Sequence, residues 1–219
     1  MRLTIWSVLM SVKTTLLSAL IMFVLLISAS AQNFELTGQV GGQINGGFDL
    51  STSRFHRIEI ANDLNYGITA GFLLGQHPAI EFQWNRMEAD TRAQPIRGSS
   101  VTVFSLAQNQ YMVNFLYHLT DKEARTRPFM FFGLGASTLD PGRSGLKGIT
   151  RFAFSLGAGA KRNLSQHLGL RGQVKWSPTY LTTTNAGYWC DPFWGGCWFV
   201  GNNHYLHEFD ITGGITVRF

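Results

Sequence analysis

From Asn33 onward, apolar and polar residues alternate at every second position along almost the whole chain. Successive side chains of a β-strand point to opposite faces, so a period of two predicts strands that have one apolar and one polar face. The pattern predicts eight strands and no helix. They lie near 34–45, 60–74, 80–85, 101–118, 128–137, 151–161, 168–176 and 209–219.

The connections between these segments alternate in length. Short ones lie near 75–78, 119–127 and 163–167, and long ones lie near 46–59, 90–100, 138–149 and 183–204. An even number of antiparallel strands, with short turns at one end and long loops at the other, is typical of an outer-membrane barrel. The predicted fold is therefore all-β, an eight-stranded antiparallel up-and-down transmembrane β-barrel over 32–219. Both chain ends should lie on the periplasmic side.

Composition decides which face meets solvent. A soluble barrel such as a lipocalin turns its apolar face inward around a ligand, whereas a membrane barrel turns it outward. Charged residues make up only 14% of this chain, against roughly 25% in soluble domains. The charges are too sparse to coat a soluble surface, and aromatic residues near strand ends suit interfacial girdles. The pattern favours the bacterial outer membrane.

The polar face should then line the barrel lumen, where its charges can neutralise one another. The predicted lumen ion-pair network has nine residues in two groups. The group expected toward the periplasm consists of Glu35, Glu81, Lys161, Arg171 and Arg218. The group expected higher in the lumen consists of Asp63, Arg151, Lys175 and Asp210.

The first thirty-one residues have the form of a signal peptide. Arg2 and Lys13 precede an apolar run over 16–27, which ends near Ala29 and Ala31. A basic region, an apolar core and an A-x-A site predict cleavage after Ala31. An uncleaved anchor helix is disfavoured because the apolar core is shorter than the roughly 20 residues needed to span a bilayer. The start codon is either Met1 or Met10.

Two segments resemble a known family. The hairpin 152–176, FAFSLGAGAKRNLSQHLGLRGQVKW, and the terminal GGITVRF of 213–219 are similar to OmpA-like outer-membrane β-barrel domains. The resemblance implies a barrel without the peptidoglycan-binding domain of the two-domain members. It also implies an assembly signal for the barrel assembly machinery, made of Ile211, Ile215, Val217 and Phe219.

The fourth long loop, 183–204, combines two cysteines with many aromatic residues. Export to an oxidising compartment allows Cys190 and Cys197 to form a disulfide. The aromatic residues either form a rigid knob that contacts a surface, glycan or partner, or pack on one another and on the bilayer rim. The surface-contact candidates are Tyr188, Trp189, Phe193, Trp194 and Trp198.

Several function classes are disfavoured. Eight strands enclose a space that side chains fill, whereas aqueous channels need about 16 strands. None of the six His has a Ser two positions later, the spacing expected of outer-membrane lipid A deacylases. No catalytic residue, metal site or cofactor is predicted, and the loss of Arg2 and Lys13 lowers the formal charge from +5 to +3, so nucleic acid is not implied.

The predicted role is structural or interaction-based: membrane integrity, or adhesion-type contact through 183–204. The alternatives are a narrow or gated channel through the lumen and, less favoured, a lipid-modifying enzyme. The predicted partners are outer-membrane lipid and lipopolysaccharide, the assembly machinery, and an extracellular surface or glycan.

Overall fold

The computed structural model describes residues 33–49, 55–95, 99–141, 148–180, 188–190, 197–199 and 205–219. Within these ranges, no helix is long and apolar enough to cross a membrane. The strands are β1 Phe34–Asn45, β2 Gly47–Asp49, β3 Phe55–Ile60, β4 Asp63–Leu73, β5 Pro78–Pro95, β6 Val101–His118, β7 Thr126–Pro141, β8 Ile149–Asn163, β9 Leu168–Trp176, β10 Thr179–Tyr180, β11 Tyr188–Cys190, β12 Cys197–Phe199, β13 Tyr205–Leu206 and β14 Glu208–Arg218.

Eight of these strands close into a barrel. Strands β1, β4, β5, β6, β7, β8, β9 and β14 pair with their neighbours in that order, and β14 pairs with β1. Every pairing is antiparallel; Gln39 of β1, for example, lies opposite Gly214 of β14 and Gly67 of β4. Closure pairs the backbone groups of all eight strands, which a bilayer requires. The predicted eight-stranded antiparallel barrel is confirmed.

The two ends of the barrel differ. The turns around 74–77, 119–125 and 164–167 lie at the same end as the first and last strand residues. There Phe219 N donates to Phe34 O at 3.0 Å, and the two Phe rings lie 5.7 Å apart. We call this the turn end and the opposite one the loop end.

Strand pairing at the loop end reaches further than the sequence pattern predicted. Strand β3 begins inside the predicted loop 46–59, β5 continues to Pro95 inside 90–100, and β7 continues to Pro141 inside 138–149. Strand β3 pairs with the upper part of β5, while β10 and β13 pair with each other above β9 and β14. The predicted loop boundaries were wrong because the alternation continues there, but with polar side chains on the outer face and apolar side chains on the inner face, as described below.

Candidate functional site in the barrel interior

Lipid-facing and interior side chains separate cleanly in the central part of the barrel. On β1, Val40 and Ile44 are 59% and 52% exposed, whereas Gln39 and Gln43 are 6% and 3% exposed. The outward face is apolar and the inward face is polar, as a bilayer-spanning barrel requires. We call this central part the membrane band.

An aromatic ridge marks the loop-end border of the membrane band on β8, β9 and β14. Trp176 stacks on His207 at 5.8 Å between ring centroids and meets Phe154 edge-on at 5.7 Å. Phe209 and Tyr205 extend the ridge. Amphipathic rings are favoured at this depth. His207 therefore belongs to the interfacial girdle, where its exposed ring serves packing.

A charge cluster occupies the interior at the turn end. Both terminal nitrogens of Arg171 donate to Glu81, Nη1 to Oε1 and Nη2 to Oε2, each at 2.8 Å. Lys161 Nζ donates to Glu81 Oε1 at 2.9 Å and to Glu35 Oε2 at 2.6 Å, and Arg218 Nε donates to Glu35 Oε1 at 3.0 Å. These five residues form the turn-end charge cluster. Each of the two carboxylates therefore contacts two cations. Charge-assisted contacts, and bidentate ones above all, are strong and directional.

An apolar cluster adjoins these charges. Leu73, Ala79, Leu116, Phe129 and Phe131 are all buried inside the barrel and form the turn-end apolar cluster. The guanidinium carbon of Arg171 lies 4.7 Å from the centroid of the Phe129 ring, within cation–π range. The turn end of the lumen is thus filled by rings and apolar chains in direct contact with the ion pairs.

Glycines on the neighbouring strand make room for the two rings. A Cβ at Gly159 would lie 2.6 Å from Phe129 Cζ, and one at Gly157 would lie 2.4 Å from Phe131 Cζ. The sequence of the fifth predicted strand is Phe-rich on both faces and did not reveal which Phe points inward. The structure turns Phe129 and Phe131 inward and leaves Phe132 exposed to lipid.

A second polar cluster lies nearer the loop end. Lys175 Nζ donates to Gln110 Oε1 at 2.8 Å and lies 3.2 Å from Asp210 Oδ2. Both oxygens of the Glu208 carboxylate accept amide hydrogens, one from Gln108 Nε2 and one from Gln110 Nε2. A further amide, Asn65 Nδ2, donates to Asp210 Oδ1. The loop-end polar cluster consists of Asn65, Gln108, Gln110, Lys175, Glu208 and Asp210.

The structure divides the predicted lumen network. Seven of its nine residues contribute to the two clusters, at the heights that the sequence predicts: Glu35, Glu81, Lys161, Arg171 and Arg218 in one, Lys175 and Asp210 in the other. Asp63 is exposed, and its carboxylate accepts from the Leu64 N–H at 2.7 Å, so its assignment to the lumen network was wrong. Arg151 is half-buried, and its Nη1 lies 3.4 Å from Thr150 O.

Two interior charges were missed. Glu208 is fully buried, and its position two residues before Asp210 on the same strand face could have revealed it. Arg127 falls within the predicted short connection 119–127, but β7 already begins at Thr126. Its side chain therefore points inward, where it is 1% exposed and donates from Nη2 to Gln76 O at 2.8 Å.

Above the loop-end polar cluster, the strands form a second apolar core. The buried residues Ile60, Met87, Ala89, Leu106, Leu139 and Leu206 pack together there. On the outer surface of the same strands lie polar groups, among them Arg86, which donates to Glu88 Oε1 from Nε at 3.0 Å and from Nη2 at 2.6 Å. We call this part of the barrel the extension and its core the loop-end apolar cluster.

The fourth loop is described only over two short strands. Strands β11 and β12 pair so that Tyr188 lies opposite Phe199, Trp189 opposite Trp198, and Cys190 opposite Cys197. The backbone register is compatible with the predicted disulfide, which stays a prediction. The other two contact candidates, Phe193 and Trp194, lie outside the described residues, as do Ala29 and Ala31 of the predicted signal peptide.

The predicted assembly signal lies on the lipid-facing surface of the last strand. Ile211, Ile215 and Val217 are 61%, 57% and 38% exposed, and Phe219 is 54% exposed. Recognition by the assembly machinery stays a prediction. Among the described residues, no group of three or more His, Cys, Asp or Glu side chains is placed to hold a metal ion.

Comparison with known proteins places this barrel in a family. The family model of the outer membrane protein beta-barrel domain matches residues 19–188, well over half of the chain. The chain belongs to this family. The OmpA-like resemblance is therefore confirmed, and the protein is located in the bacterial outer membrane.

Solved structures agree on the fold. Neisserial surface protein A is 12% identical, with a TM-score of 0.55, and the match covers 85% of this chain and 97% of that one. The outer membrane protein OprG from Pseudomonas aeruginosa is also 12% identical, with a TM-score of 0.56, covering 87% and 98% of the two chains. At this identity the likeness shows the fold alone. No curated protein matches the sequence.

Proposed function

We propose that this member of the family is a closed, non-enzymatic barrel that makes adhesion-type contacts at the cell surface through the loop 183–204. The observation that carries the proposal is the extension, a part of the barrel that has a soluble-type core and a polar exterior above the membrane band. Such a structure has no role in spanning a bilayer, whereas it can hold a loop away from the membrane.

The length of the strands supports this role. Strand β5 has 18 residues. At about 3.3 Å per residue and a tilt of about 40°, such a strand rises about 45 Å, whereas the apolar band of a membrane barrel is about 25 Å tall. Because the lipid-facing residues of β5 lie toward its turn end, the excess of about 20 Å lies on the extracellular side. The extension therefore reaches past the bilayer surface.

The base of the fourth loop is part of the extension. Leu206 of β13 is 1% exposed and belongs to the loop-end apolar cluster, and it pairs with Thr179 of β10. The rings of Tyr180 and Tyr205 lie 5.3 Å apart in the same short ladder. The strands that flank the loop, β10 and β13, are thus paired with each other, and β13 is packed on the core, which lowers the entropic cost of ordering the loop against a partner.

The described part of the loop suits a contact surface. Strands β11 and β12 bring Tyr188, Trp189, Trp198 and Phe199 into two directly opposed backbone pairs. Cross-strand aromatic pairs stabilise a hairpin, and large aromatic side chains are enriched at the centres of interfaces. A partner with apolar faces, such as the ring faces of a glycan or an exposed protein patch, fits this composition.

The filled lumen favours contact over conduction. Ions crossing the barrel would have to pass the turn-end apolar cluster, the turn-end charge cluster, the loop-end polar cluster and the loop-end apolar cluster. The Glu81 and Arg171 side chains are 1% and 2% exposed and joined by two hydrogen bonds, so opening a path would separate a buried ion pair, which is strongly unfavourable. We therefore expect the intact barrel to be silent in a planar bilayer.

Adhesion of bacteria that display the protein tests the proposal. We compare the wild-type protein with the variant Trp189→Ala/Trp198→Ala on surfaces coated with mixed mammalian glycans or with extracellular-matrix protein. We expect at least a tenfold loss of bound cells, because truncation of a central aromatic pair removes the main apolar contact. The matched control is Thr138→Ala/Thr150→Ala, a cross-strand pair on the outer face of the extension, for which adhesion should be unchanged.

Heat-modifiability gels must show equal amounts of folded barrel for all three proteins. If the wild-type protein confers no adhesion to either coating, or if the Trp variant adheres as well as the wild type, the loop is not the contact surface. A role in membrane integrity alone would then remain, and deletion of the protein should raise the uptake of a normally excluded dye.

A further inference from the structure

The strand ladder that joins β1 and β2 to β4 and β3 is interrupted once. Pairing of β1 with β4 reaches up to Gln43, and pairing resumes at Gly47 of β2, which lies opposite β3. Between these points, Asn45 N donates to Asn62 Oδ1 at 3.1 Å, and Asn45 Nδ2 donates to Ala61 O at 3.0 Å. Side-chain amides thus replace the backbone ladder over this interval.

A β-bulge lies beside the same interruption. Ile60 of β3 lies opposite Thr91 of β5, whereas Asn65 of β4 lies opposite Met87. The run from 60 to 65 therefore contains one residue more than the run from 87 to 91 that it faces. A bulge bends its strand and re-aims side chains, and bulges are over-represented next to functional sites.

An open cavity of about 460 Å³ lies where the ladder is interrupted, and we call it the wall notch. Its volume falls in the range of small-molecule sites, about 300–1,000 Å³. It opens to the outside of the barrel, since several of its side chains are exposed. The lining residues include Ile44, Asn45, Glu59, Ile60, Asn62 and Arg92.

The wall notch lies at the depth of the lipid headgroups. Ile44 lies opposite Phe209 of β14, which lies opposite Trp176 of β9, and both rings belong to the aromatic ridge. Toward the turn end the outer surface is apolar: Ile44 is 52% exposed and Leu64 is 68% exposed. Gly42 lies opposite Leu64, and a Cβ at Gly42 would meet no atom within 4 Å. The wall notch thus adjoins an open, lipid-facing groove.

The side chains of the wall notch suit hydroxyl groups. Arg92 lies opposite Glu59 on the neighbouring strand, and its exposed guanidinium forms no ion pair within the described part of the chain. The Asn62 oxygen accepts from the Asn45 N–H, which leaves the Asn62 NH₂ group to donate elsewhere. Hydroxyl groups both donate and accept, so they match a guanidinium, an amide and a carboxylate together.

The charge around the wall notch disfavours a phosphate group. Two exposed carboxylates flank its lining: Asp63 follows Asn62 in the chain, and Asp90 O accepts from Ala61 N at 2.8 Å. Together with Glu59 they place three carboxylates around one guanidinium among the described residues. Like charges repel, so an uncharged ligand fits better than an anionic one.

We propose that the wall notch binds the neutral sugar headgroup of an outer-leaflet glycolipid, whose acyl chains lie along the groove at Gly42. A concave site with an apolar wall and a few polar groups is typical of small-molecule sites. A free saccharide would leave the exposed face of Ile44 and Leu64 uncovered, whereas acyl chains cover it. The proposal gives the predicted outer-membrane lipid partner a position on the barrel and is independent of the role of the fourth loop.

The test is methyl NMR of the full-length mature barrel in phosphatidylcholine nanodiscs, with labelled Ile methyl groups. Titration with glucosyl diacylglycerol should shift the Ile44 and Ile60 signals saturably, while the signal of Ile215, nearer the turn end, should not move. Phosphatidylglycerol at the same mole fraction and methyl glucoside in large excess should cause no saturable shift. An equal response to phosphatidylglycerol would overturn the proposal as general interfacial binding. An equal response to methyl glucoside would overturn it in favour of a free saccharide.

Variants make the result specific. Arg92→Gln and Asn62→Ala each remove hydrogen-bond donors and should weaken the apparent affinity about tenfold; Arg92→Gln, at an exposed position, keeps the test valid if Asn62→Ala alters the fold. The matched control is Glu88→Gln, on the outer face of β5 but outside the wall notch, which should bind like the wild type. Trp189→Ala/Trp198→Ala should also bind normally, which separates this proposal from the adhesion test. Undiminished affinity in both notch variants, or no saturable shift in the wild type, would overturn the proposal.

Discussion

The membrane band and the extension are built from the same strands, yet their faces have opposite chemistry. On β5, Phe82 faces outward and Gln83 faces inward within the membrane band; a few residues later, Arg86 faces outward and Met87 inward. Strand β6 makes the same exchange, from lipid-facing Val113 to buried Leu106. Because the alternation itself is unbroken, what changes is the solvent outside the barrel, from lipid to water.

The comparison teaches that exposure does not by itself predict residue type. Phe82 is 50% exposed and Val113 is 55% exposed, and both are apolar because they meet acyl chains. Arg86, which is half-buried, and Glu88, which is exposed, lie on the same outer surface and are charged. Burying a polar side chain inside the barrel costs free energy unless it finds hydrogen-bond partners. The membrane band therefore contains the two hydrogen-bonded clusters. The extension needs no such network and has an apolar core.

Loss of one partner from the turn-end charge cluster should have the largest effect. Glu81→Gln leaves the cations of Lys161 and Arg171 buried with one carboxylate fewer, which costs about 3–5 kcal/mol when an ion pair is broken in a protein interior. Reversible urea unfolding in lipid vesicles measures this loss. The control is Asp63→Asn, which removes an exposed carboxylate and should change stability by less than about 0.5 kcal/mol. Equal effects of the two substitutions would contradict the burial argument.

A lipid-facing charge should distinguish the two regions directly. Val113→Arg places a cation in the membrane band and should cost about 2–4 kcal/mol, whereas Ser105→Arg, eight residues away on the same outward face of β6, should cost about 0–1 kcal/mol because it meets water. Urea unfolding in vesicles again gives both values. If Ser105→Arg is as destabilising as Val113→Arg, the bilayer extends over the extension, and the assignment of the two regions is wrong.

Truncation inside the extension should act locally. Leu106→Ala removes buried methyl groups from the loop-end apolar cluster and should cost about 2 kcal/mol, the low end of the range for buried Leu, because the extension can relax into solvent. Hydrogen exchange resolved by peptide should report faster opening of β3 and of the upper part of β5. Protection in the lower part of β6, around Val113, should be unchanged. Uniform loss of protection would mean that the two regions unfold as one unit.

The smallest effect on the barrel is expected from the loop cysteines. Cys190→Ser/Cys197→Ser removes the predicted disulfide from a hairpin outside the barrel, so the barrel should change by less than about 0.5 kcal/mol. Mass spectrometry after alkylation, with and without reductant, should show that both wild-type thiols are blocked until reduced. Free thiols in protein isolated from the outer membrane would refute the disulfide.

Much of the fold could be predicted from the sequence because alternation is a local signal. The opposite facing of residues such as Val40 and Gln39 can be predicted from the local pattern, without knowing which strands pair with theirs. The heights of Glu81 and Lys175 followed from their distance to strand ends. The boundaries of β5 and β7 were missed because the outward-facing positions become polar near Arg86 and Thr138, and the sequence pattern there resembles the start of a loop.

The assignments that failed depend on contacts between strands distant in sequence. Asp63 has the parity of an interior residue, but it lies at the end of its strand, where solvent reaches it. Arg127 follows a charged turn in the sequence, but the register of β7 with β8 turns it inward. The local pattern does not distinguish Phe129 from Phe132, and the room for the Phe129 ring inside the barrel comes from Gly159 on the neighbouring strand.

The sequence by itself determined the number of strands, their antiparallel order, the location in the outer membrane and the membership of most interior charges. These properties depend on periodicity and composition, which each segment carries alone. The tertiary structure decided which charges pair, where the lumen is filled, and that Lys175 near the loop end contacts Asp210 while two glutamine amides contact Glu208. Pairing is set by barrel closure, which brings Glu35 and Lys161, 126 residues apart, within hydrogen-bond distance, and no local pattern contains that information.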